Sequence, residues 1–319
     1  MKIKDLSFQS NLFLAPLAGY SDAAFRHICH EFGSAAAVTE MVSAEGLARD
    51  SAKTENLLKR YPGEEKLIIQ LFGPDKDPFQ RASAKVMEYK PDMIDVNCGC
   101  PVPKVVKTGA GSALMKDPKK IKEIVSVLIE ETHLPISVKF RLGWEAEKEN
   151  YIEFAEAAAE GGASAFTLHA RTRSQGYSGE ADWNHIRKLK EHFKDSGIVI
   201  FGSGDIFSPE AAVKMLAETG ADGVMFARGA IGNPFIFQET KDLINNGCYT
   251  KPSKAELKST IIRHLDYMIE EEGERTAFKE MRKHICAYMK GIEGGSKIKV
   301  KAVEANSREE YITALSLLG

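Results

Sequence analysis

Short apolar runs recur along the first three quarters of the chain, and a segment with helical periodicity follows each of them. Eight runs rich in β-branched and aromatic residues are predicted strands, at 11–17, 35–41, 67–73, 93–99, 136–142, 165–171, 198–204 and 223–229. In 117–132 the apolar positions recur at helix spacing, behind Asp117 as N-cap and Pro118 in the first turn. Parallel strands need such crossover segments. Eight units reaching about residue 245 predict an α/β fold, a closed (β/α)8 TIM barrel, with an open doubly wound sheet as the alternative.

The pattern changes after residue 247. No further strand-like run occurs, and two amphipathic helices follow, one around Leu257 to Ile269 and the other around Phe278 to Met289. We therefore predict a catalytic barrel domain over 1–245 and a separate all-helical domain over 248–319.

Composition argues against secreted, membrane-spanning and disulfide-rich classes of protein. The 319 residues are 43% hydrophobic and 28% charged, which is typical of a globular chain. The N-terminus lacks the apolar core of a signal peptide, and no apolar run approaches the roughly 18 residues of a membrane span. Five scattered cysteines do not make a disulfide framework. We expect a cytoplasmic protein without membrane association.

Positive charge is concentrated in two places, although the formal net charge is −2. Segment 275–301 has eight basic residues against two acidic ones. Segment 104–122 has six lysines against a single aspartate. Ordinary solvated surface is the alternative for either cluster alone. Two clusters in a chain of net negative charge favour a local polyanion-binding surface.

Polar residues alternate into the predicted barrel interior. Side chains point to opposite faces along a strand, so strand parity sorts them into inside and outside. The polar side chains predicted to point inward are Gln70, Asp95, Asn97, Ser137, Lys139, Arg141, Thr167, His169 and Arg171. Most lie toward the carboxyl ends of strands, where barrel enzymes place their active sites. A buried lysine needs an anionic partner, so we expect the barrel mouth to hold a polar, flat or anionic group.

Two glycine-containing loops predict a phosphate site. Gly202-Ser203-Gly204-Asp205 follows the seventh strand, and Ala227-Arg228-Gly229-Ala230-Ile231-Gly232 follows the eighth. Backbone N–H groups beside an arginine form an anion cradle at the usual phosphate position of this fold. A phosphorylated cofactor or substrate is implied.

One cysteine is a candidate for chemistry. Asn97-Cys98-Gly99-Cys100-Pro101 lies at the carboxyl end of the fourth strand, and Cys100 falls in the loop beyond it. Its thiol could act as a nucleophile or as a proton donor, and spacing alone does not choose between these roles. Two cysteines without a second ligand pair do not favour zinc, and we expect no metal.

Three motifs carry a family resemblance. They are Leu14-Ala15-Pro16-Leu17-Ala18-Gly19-Tyr20-Ser21-Asp22, Asn97-Cys98-Gly99-Cys100-Pro101 and His169-Ala170-Arg171-Thr172-Arg173, the last extended by Gln175, Tyr177, Gly179, Ala181, Asp182 and Trp183. Together they resemble the tRNA-dihydrouridine synthases, most nearly the bacterial B-type enzymes. The resemblance implies an FMN enzyme that uses NADPH to reduce the C5–C6 double bond of a uridine in tRNA. Hydride would pass from flavin N5 to C6, and Cys100 would give the proton to C5.

The resemblance also implies site residues. FMN would be held by Pro16, Leu17, Ala18, Gln70, Lys139, His169, Ser203, Gly204, Asp205, Ala227 and Arg228, with Lys139 near flavin N1 and O2. Ser203 stands where the family commonly has Asn. The tRNA would be contacted by Asn97, Lys104, Lys107, Arg141, Arg171, Arg173, Arg282 and Lys283. NADPH would bind only transiently, because the chain has no dinucleotide fingerprint.

Two other functions are compatible with parts of the sequence. A free-pyrimidine FMN oxidoreductase of the dihydroorotate dehydrogenase type is also a flavin barrel with a loop cysteine, but it leaves the basic helical tail unexplained. A non-catalytic RNA-binding module on a degenerate barrel would lack bound flavin. We predict the tRNA-modifying oxidoreductase and expect it to be a monomer.

Overall fold

The computed structural model describes residues 1–318, without the side chains of residues 52 and 53. Eight parallel strands close into a barrel: β1 Leu12–Leu14, β2 Ala36–Val38, β3 Leu67–Phe72, β4 Met93–Cys98, β5 Ile136–Phe140, β6 Ala165–His169, β7 Val199–Ser203 and β8 Gly223–Phe226. Each pairs with the next, and β8 pairs with β1 through Val224 and Leu12. This closure confirms the predicted TIM barrel over the open sheet, and every strand is shorter than its predicted run.

Seven helices surround the barrel: α1 Ala23–Glu31, α2 Lys76–Glu88, α3 Pro118–Thr132, α4 Tyr151–Glu160, α5 Asn184–His192, α6 Pro209–Thr219 and α7 Ile236–Asn246. Capping residues explain where these helices begin and end, as α6 illustrates. The Ser208 side chain accepts a hydrogen bond from Ala211 N at the start of α6, and Gly220 ends that helix in the left-handed conformation. Shorter elements are Val42–Ser43, Ala44–Leu47, Ala52–Glu55, Asn56–Leu58, Pro103–Val106, Gly111–Lys116, Ala146–Lys148 and Arg228–Ala230.

The barrel interior is apolar at one end and polar at the other. Phe13, Phe201 and Met225 fill the amino-terminal end, which the hairpin of Lys2–Ile3 and Leu6–Ser7 covers. Gln70, Asn97, Lys139 and His169, four of the predicted inward polar residues, lie toward the carboxyl-terminal end. Their strand neighbours, such as Val138 and Leu168, belong to the core between barrel and helices, which confirms the parity argument.

Beyond Gly247 the chain forms four α-helices rather than the two that periodicity predicts. They are α8 Lys254–Glu272, α9 Glu274–Tyr288, α10 Gly295–Glu304 and α11 Arg308–Leu315, followed by the 3₁₀ turn Ser316–Leu318. We call these helices the tail; residue 319, the last of the predicted helical domain, lies outside the described residues. The tail has its own apolar cluster, which takes in Ala24 of α1 and Phe235 at the start of α7.

Candidate functional site

A cavity of about 510 Å³ opens at the carboxyl ends of the strands. Every residue predicted to hold the cofactor lines it, and so do Asn97, Cys100 and Arg141. Six predicted substrate contacts lie outside its lining: Lys104, Lys107, Arg171, Arg173, Arg282 and Lys283. The loops after seven different strands therefore converge on one space, as barrel active sites require.

A buried hydrogen-bond network forms the floor of the cavity between β3, β4 and β5. Gln70 Nε2 donates to Asp95 Oδ2 at 2.6 Å, and Ser137 Oγ donates to Asp95 Oδ1 at 2.5 Å. Burial raises the pKa of Asp95 to about 6, although both hydrogen bonds act in the opposite direction. Asn97 Nδ2 donates to Gln70 Oε1 at 2.8 Å, so the amide of Gln70 is fixed at both ends.

The same Asn97 side chain holds the cysteine loop. Its Oδ1 accepts hydrogen bonds from Gly99 N at 3.2 Å and from Cys100 N at 3.0 Å. On the far side of the loop, Ser112 Oγ donates to Cys100 O at 3.0 Å. The backbone of Cys100 is thus fixed from two directions by the chain's own residues.

The environment of Cys100 favours the thiol over the thiolate. The residue is half-buried, and burial raises the pKa of its thiol even though Arg141 acts to lower it. At neutral pH the sulfur therefore keeps its proton. Of the two roles left open by the sequence, this state fits a proton donor better than a nucleophile.

Lys139 brings an amine to the cavity beside this network. Burial lowers its pKa to about 8, Arg141 adds to the effect, and Asp95 opposes it. Within the described part of the chain the Lys139 amine makes no salt bridge, although Asp95 is near enough to act on its pKa. A cation without an anionic contact in the cavity wall is suited to an electron-rich edge of a ligand.

Two further buried polar atoms on the cavity wall have no partner among the described residues. They are His169 Nε2 and Ser203 Oγ, in side chains that are 9% and 1% exposed. Burial lowers the pKa of His169 to about 2, and the nearby cations Lys139 and Arg141 add to the shift, so the ring is neutral. Buried polar groups are normally hydrogen-bonded. These two fit a polar cofactor that would supply the missing contacts.

The two glycine-containing loops predicted to form an anion cradle, after β7 and β8, both line the cavity. Arg228 Nη2 donates to Asp205 Oδ1 at 3.3 Å, and its guanidinium lies 4.3 Å from the ring centroid of Tyr177. Gly204 has φ +120°, and a Cβ there would lie 2.9 Å from Ala181 Cβ. The Asp205 carboxylate faces arginines, so it orients Arg228, and any phosphate contact from Asp205 must come from its backbone.

Arg141 and Arg171 are structural in this geometry. Arg141 donates from Nε to Gly99 O at 2.8 Å and from Nη1 to Thr172 O and Gly176 O, which braces the cysteine loop against the β6 loop. A tRNA phosphate contact is predicted for Arg171, but its side chain is 1% exposed and donates to Gly179 O and Asp205 Oδ2. That predicted contact has no geometric support.

The other predicted phosphate contacts lie at the rim or on the tail. Lys104 and Lys107 are exposed beside the short helix Pro103–Val106 that follows Cys100. Arg173 Cζ lies 4.5 Å from the ring centroid of Trp144. Arg282 is half-buried and donates to Asn306 Oδ1 at 3.4 Å, while Lys283 pairs with Glu280.

Several cavity residues have no place in the predicted site: Ala15, Tyr20, Met41, Gly99, Pro101, Val102, Tyr177, Ile206, Phe207, Met225, Gly229 and Ile231. Tyr20 and Tyr177 fall inside the resemblance motifs, which could have indicated them. Phe207 is 54% exposed in the loop after β7, where no periodicity singles it out.

Two kinds of feature are absent from residues 1–318. No group of three or more His, Cys, Asp or Glu side chains is arranged to hold a metal ion. No helix in that range combines the length and the hydropathy needed to span a bilayer.

Comparison with known proteins identifies the family. The sequence profile described as "Dihydrouridine synthase (Dus)" matches residues 13–317. A "Probable tRNA-dihydrouridine synthase" of Treponema pallidum (strain Nichols) is 40% identical, over 99% of this chain and 95% of the relative. The "tRNA-dihydrouridine synthase B" of Pasteurella multocida (strain Pm70) is 33% identical, over 92% of this chain and 88% of the relative.

A solved structure supports the fold. Histamine dehydrogenase from Rhizobium sp. 4-9 superposes with a TM-score of 0.56 at 16% identity, over 84% of this chain and 50% of that one. The chain thus spans half the length of that protein, and at this identity the likeness concerns the fold alone. The profile match and the relatives together confirm the resemblance seen in the motifs: the chain belongs to the dihydrouridine synthase family.

Proposed function

We propose that this protein reduces a uridine of tRNA to dihydrouridine, with FMN as its resident cofactor and NADPH as reductant. One observation carries the proposal. A single cavity joins a protonated thiol, an amine that makes no salt bridge, and an arginine beside two glycine-containing loops. These three groups match the needs of proton donation, of charge stabilisation and of a phosphorylated cofactor.

The chain's own residues fit FMN. Arg228 and the backbone around Gly204 would take the phosphate, and Ser203 Oγ and His169 Nε2 have unsatisfied hydrogen-bond capacity for polar atoms of the cofactor. Gln70 and Lys139 would meet the polar edge of the ring. Bound in this way, FMN would supply the hydride that reaches C6 of the uracil.

Cys100 would complete the reduction by protonating C5. Hydride addition at C6 leaves negative charge at C5 and O4 of the uracil, and a proton from Cys100 Sγ to C5 gives the saturated base and a thiolate. Solvent then reprotonates the thiolate, so the side chain ends unchanged. The target base must leave its stack to reach the cavity, which costs a few kcal/mol.

Substitution of Gly204 is expected to weaken FMN binding about tenfold. A Cβ at Gly204 would meet Ala181 at 2.9 Å in a left-handed region of φ, and such overpacking costs about 1–3 kcal/mol. Gly197→Ala is the matched control, because Gly197 also has positive φ but has no atom within 4 Å of the added Cβ. Flavin dissociation constants from fluorescence quenching compare Gly204→Ala with that control. Equal affinity in the two variants would contradict the assigned cradle.

The tail and the rim lysines would bind the tRNA body. Arg282 and Lys283 already have protein partners, so the exposed cations Lys279 and Lys290 give a cleaner test. The double variant Lys279→Glu and Lys290→Glu should weaken tRNA binding about tenfold and flatten its salt dependence, because fewer counterions are released. The barrel variant Lys188→Glu and Lys194→Glu makes the same change in net charge and should bind tRNA as wild type. Equal tRNA affinity in both double variants would contradict the proposal that the tail binds tRNA.

A substrate comparison tests the function as a whole. The purified protein, loaded with FMN, is given NADPH and either unmodified tRNA, free uracil or orotate. Dihydrouridine in the tRNA, with no turnover of the free pyrimidines, is the expected result. Turnover of orotate without tRNA would support the free-pyrimidine oxidoreductase instead, and failure to retain flavin would support a non-catalytic RNA-binding module.

A further inference from the structure

The loop from Pro16 to Asp22 joins β1 to α1 and forms one wall of the cavity. Pro16, Leu17, Ala18 and Tyr20 all line the cavity. The loop is closed by a tight turn in which Tyr20 N donates to Leu17 O at 2.8 Å. At its end the Asp22 carboxylate caps α1 by accepting from Phe25 N at 2.8 Å. We call residues 16–22 the wall loop.

Barrel residues hold part of the wall loop, since Gly19 N donates to Glu40 and Arg26 Nη1 donates to Ser21 O at 3.1 Å, and the tail contacts it at Tyr20 and Asp22. His284 of α9 packs its ring edge-on against Tyr20, with centroids 5.3 Å apart and planes at 81°. Its Nε2 lies 3.8 Å from Asp22 Oδ2, the carboxylate oxygen that the α1 cap leaves free. Lys283 Nζ, from the preceding residue, lies 5.6 Å from the centroid of Tyr20. Two consecutive tail residues therefore touch the loop that forms the cavity wall.

His284 is a costly residue to bury here. It is fully buried, and neither ring nitrogen has a hydrogen-bond partner among the described residues. The neighbouring His264 is equally buried and its Nε2 also lacks a partner among the described residues, but its Nδ1 lies 3.2 Å from Tyr288 Oη and its ring stacks on Phe25. An apolar ring would fill the place of His284 without leaving unsatisfied nitrogens. Its polar neighbours are the edge-on ring of His264, with centroids 4.5 Å apart, and Asp22. Asp22 belongs to the wall loop, so the geometry indicates a role in holding that loop.

We propose that His284 is a positioning residue for the reaction: it fixes Tyr20 and Asp22, and through them the tail shapes the wall of the cofactor cavity. The inference rests on the proposed function, because that function puts a flavin and a uracil in this cavity. The tail then has two roles, since the helix that would bind tRNA also sets the geometry of the reacting groups. Small displacements of a cavity wall lower the rate of a reaction that depends on positioning.

The matched variants His284→Phe and His264→Phe test this role. Both replace a fully buried tail histidine by a ring of similar volume, so loss of stability alone should affect them alike. We expect His284→Phe to lower kcat on saturating tRNA on the order of tenfold, with a KM for tRNA within about twofold of wild type. Its flavin absorbance spectrum should shift, and His264→Phe should match wild type in all three readouts.

The outcomes separate the two proposals. Equal behaviour of the two variants in kcat and spectrum would overturn the positioning role and leave the proposed function intact. If wild type binds flavin but leaves tRNA unchanged, the proposed function fails, and the spectral comparison still decides on His284. If His284→Phe does not fold, His284→Gln replaces it, with His264→Gln as its control and the same three readouts. Wild-type protein that binds no flavin would overturn both.

Discussion

Cys100→Ala is expected to reduce the turnover of tRNA uridine by about 10²- to 10⁴-fold, the usual contribution of a positioned general acid. Reduction of the bound flavin by NADPH should continue, because that half-reaction needs no proton from Cys100. The measurements are flavin bleaching under anaerobic conditions and dihydrouridine formation in tRNA. A loss confined to the second measurement assigns the thiol to protonation of the base.

A pH profile adds an independent test of the same role. Burial raises the pKa of the Cys100 thiol, so the protonated form persists through neutral pH. Oxidation of pre-reduced wild-type enzyme by tRNA, a half-reaction that does not include flavin reduction by NADPH, should therefore slow only above the ordinary thiol value of about 8.5, as the proton is lost. Cys286→Ala, at an exposed cysteine on the tail, is the control and should keep full activity. Full tRNA turnover in Cys100→Ala would remove the thiol from the mechanism.

Lys139→Met is expected to slow flavin reduction by NADPH by about 10²- to 10³-fold, the effect of removing one preorganised electrostatic contact. The amine would face the edge of the ring where reduction builds negative charge, and methionine retains most of the side-chain volume without the charge. Lower affinity for the reduced cofactor than for the oxidised one should accompany the loss. Stopped-flow absorbance without tRNA measures the rate of flavin reduction. Cys100 does not affect this measurement, because no base is protonated in it.

The pH dependence of flavin reduction separates the effect of the Lys139 charge from the effect of its packing. Burial lowers the pKa of its amine to about 8, so the cation is present below that pH and is lost as pH rises through it. The rate of flavin reduction in wild type should fall over the same range. In Lys139→Arg the guanidinium keeps its charge, and the fall should move to higher pH. A rate independent of pH in wild type, or an unimpaired Lys139→Met, would contradict the assigned role.

The strand pattern predicted the barrel and the inward polar residues because both depend on local rules. Alternation along a strand is fixed by backbone geometry, so Lys139 and His169 could be placed inside from parity alone. The hydrogen-bond partner of an arginine depends on loops that the fold brings together. The sequence therefore could not show that Arg171 donates hydrogen bonds to Gly179 O and Asp205 Oδ2. The helix α10 was missed because its apolar residues are few and lie among lysines. Phe207 and Ile231 lie in loops, where side-chain direction follows no period.

The amide of Asn97 constrains how this chemistry could be moved to another scaffold. Its oxygen accepts from Gly99 and Cys100 while its nitrogen donates to Gln70, and an aspartate in its place would face the Gln70 oxygen with a second acceptor. Transplanting the pentapeptide 97–101 into a foreign barrel would therefore fail unless a glutamine on the adjacent strand travelled with it. The structural unit that this chemistry needs is therefore the adjacent carboxyl-terminal ends of β3 and β4. Recombination that separates these two strands should yield folded but inactive chimeras.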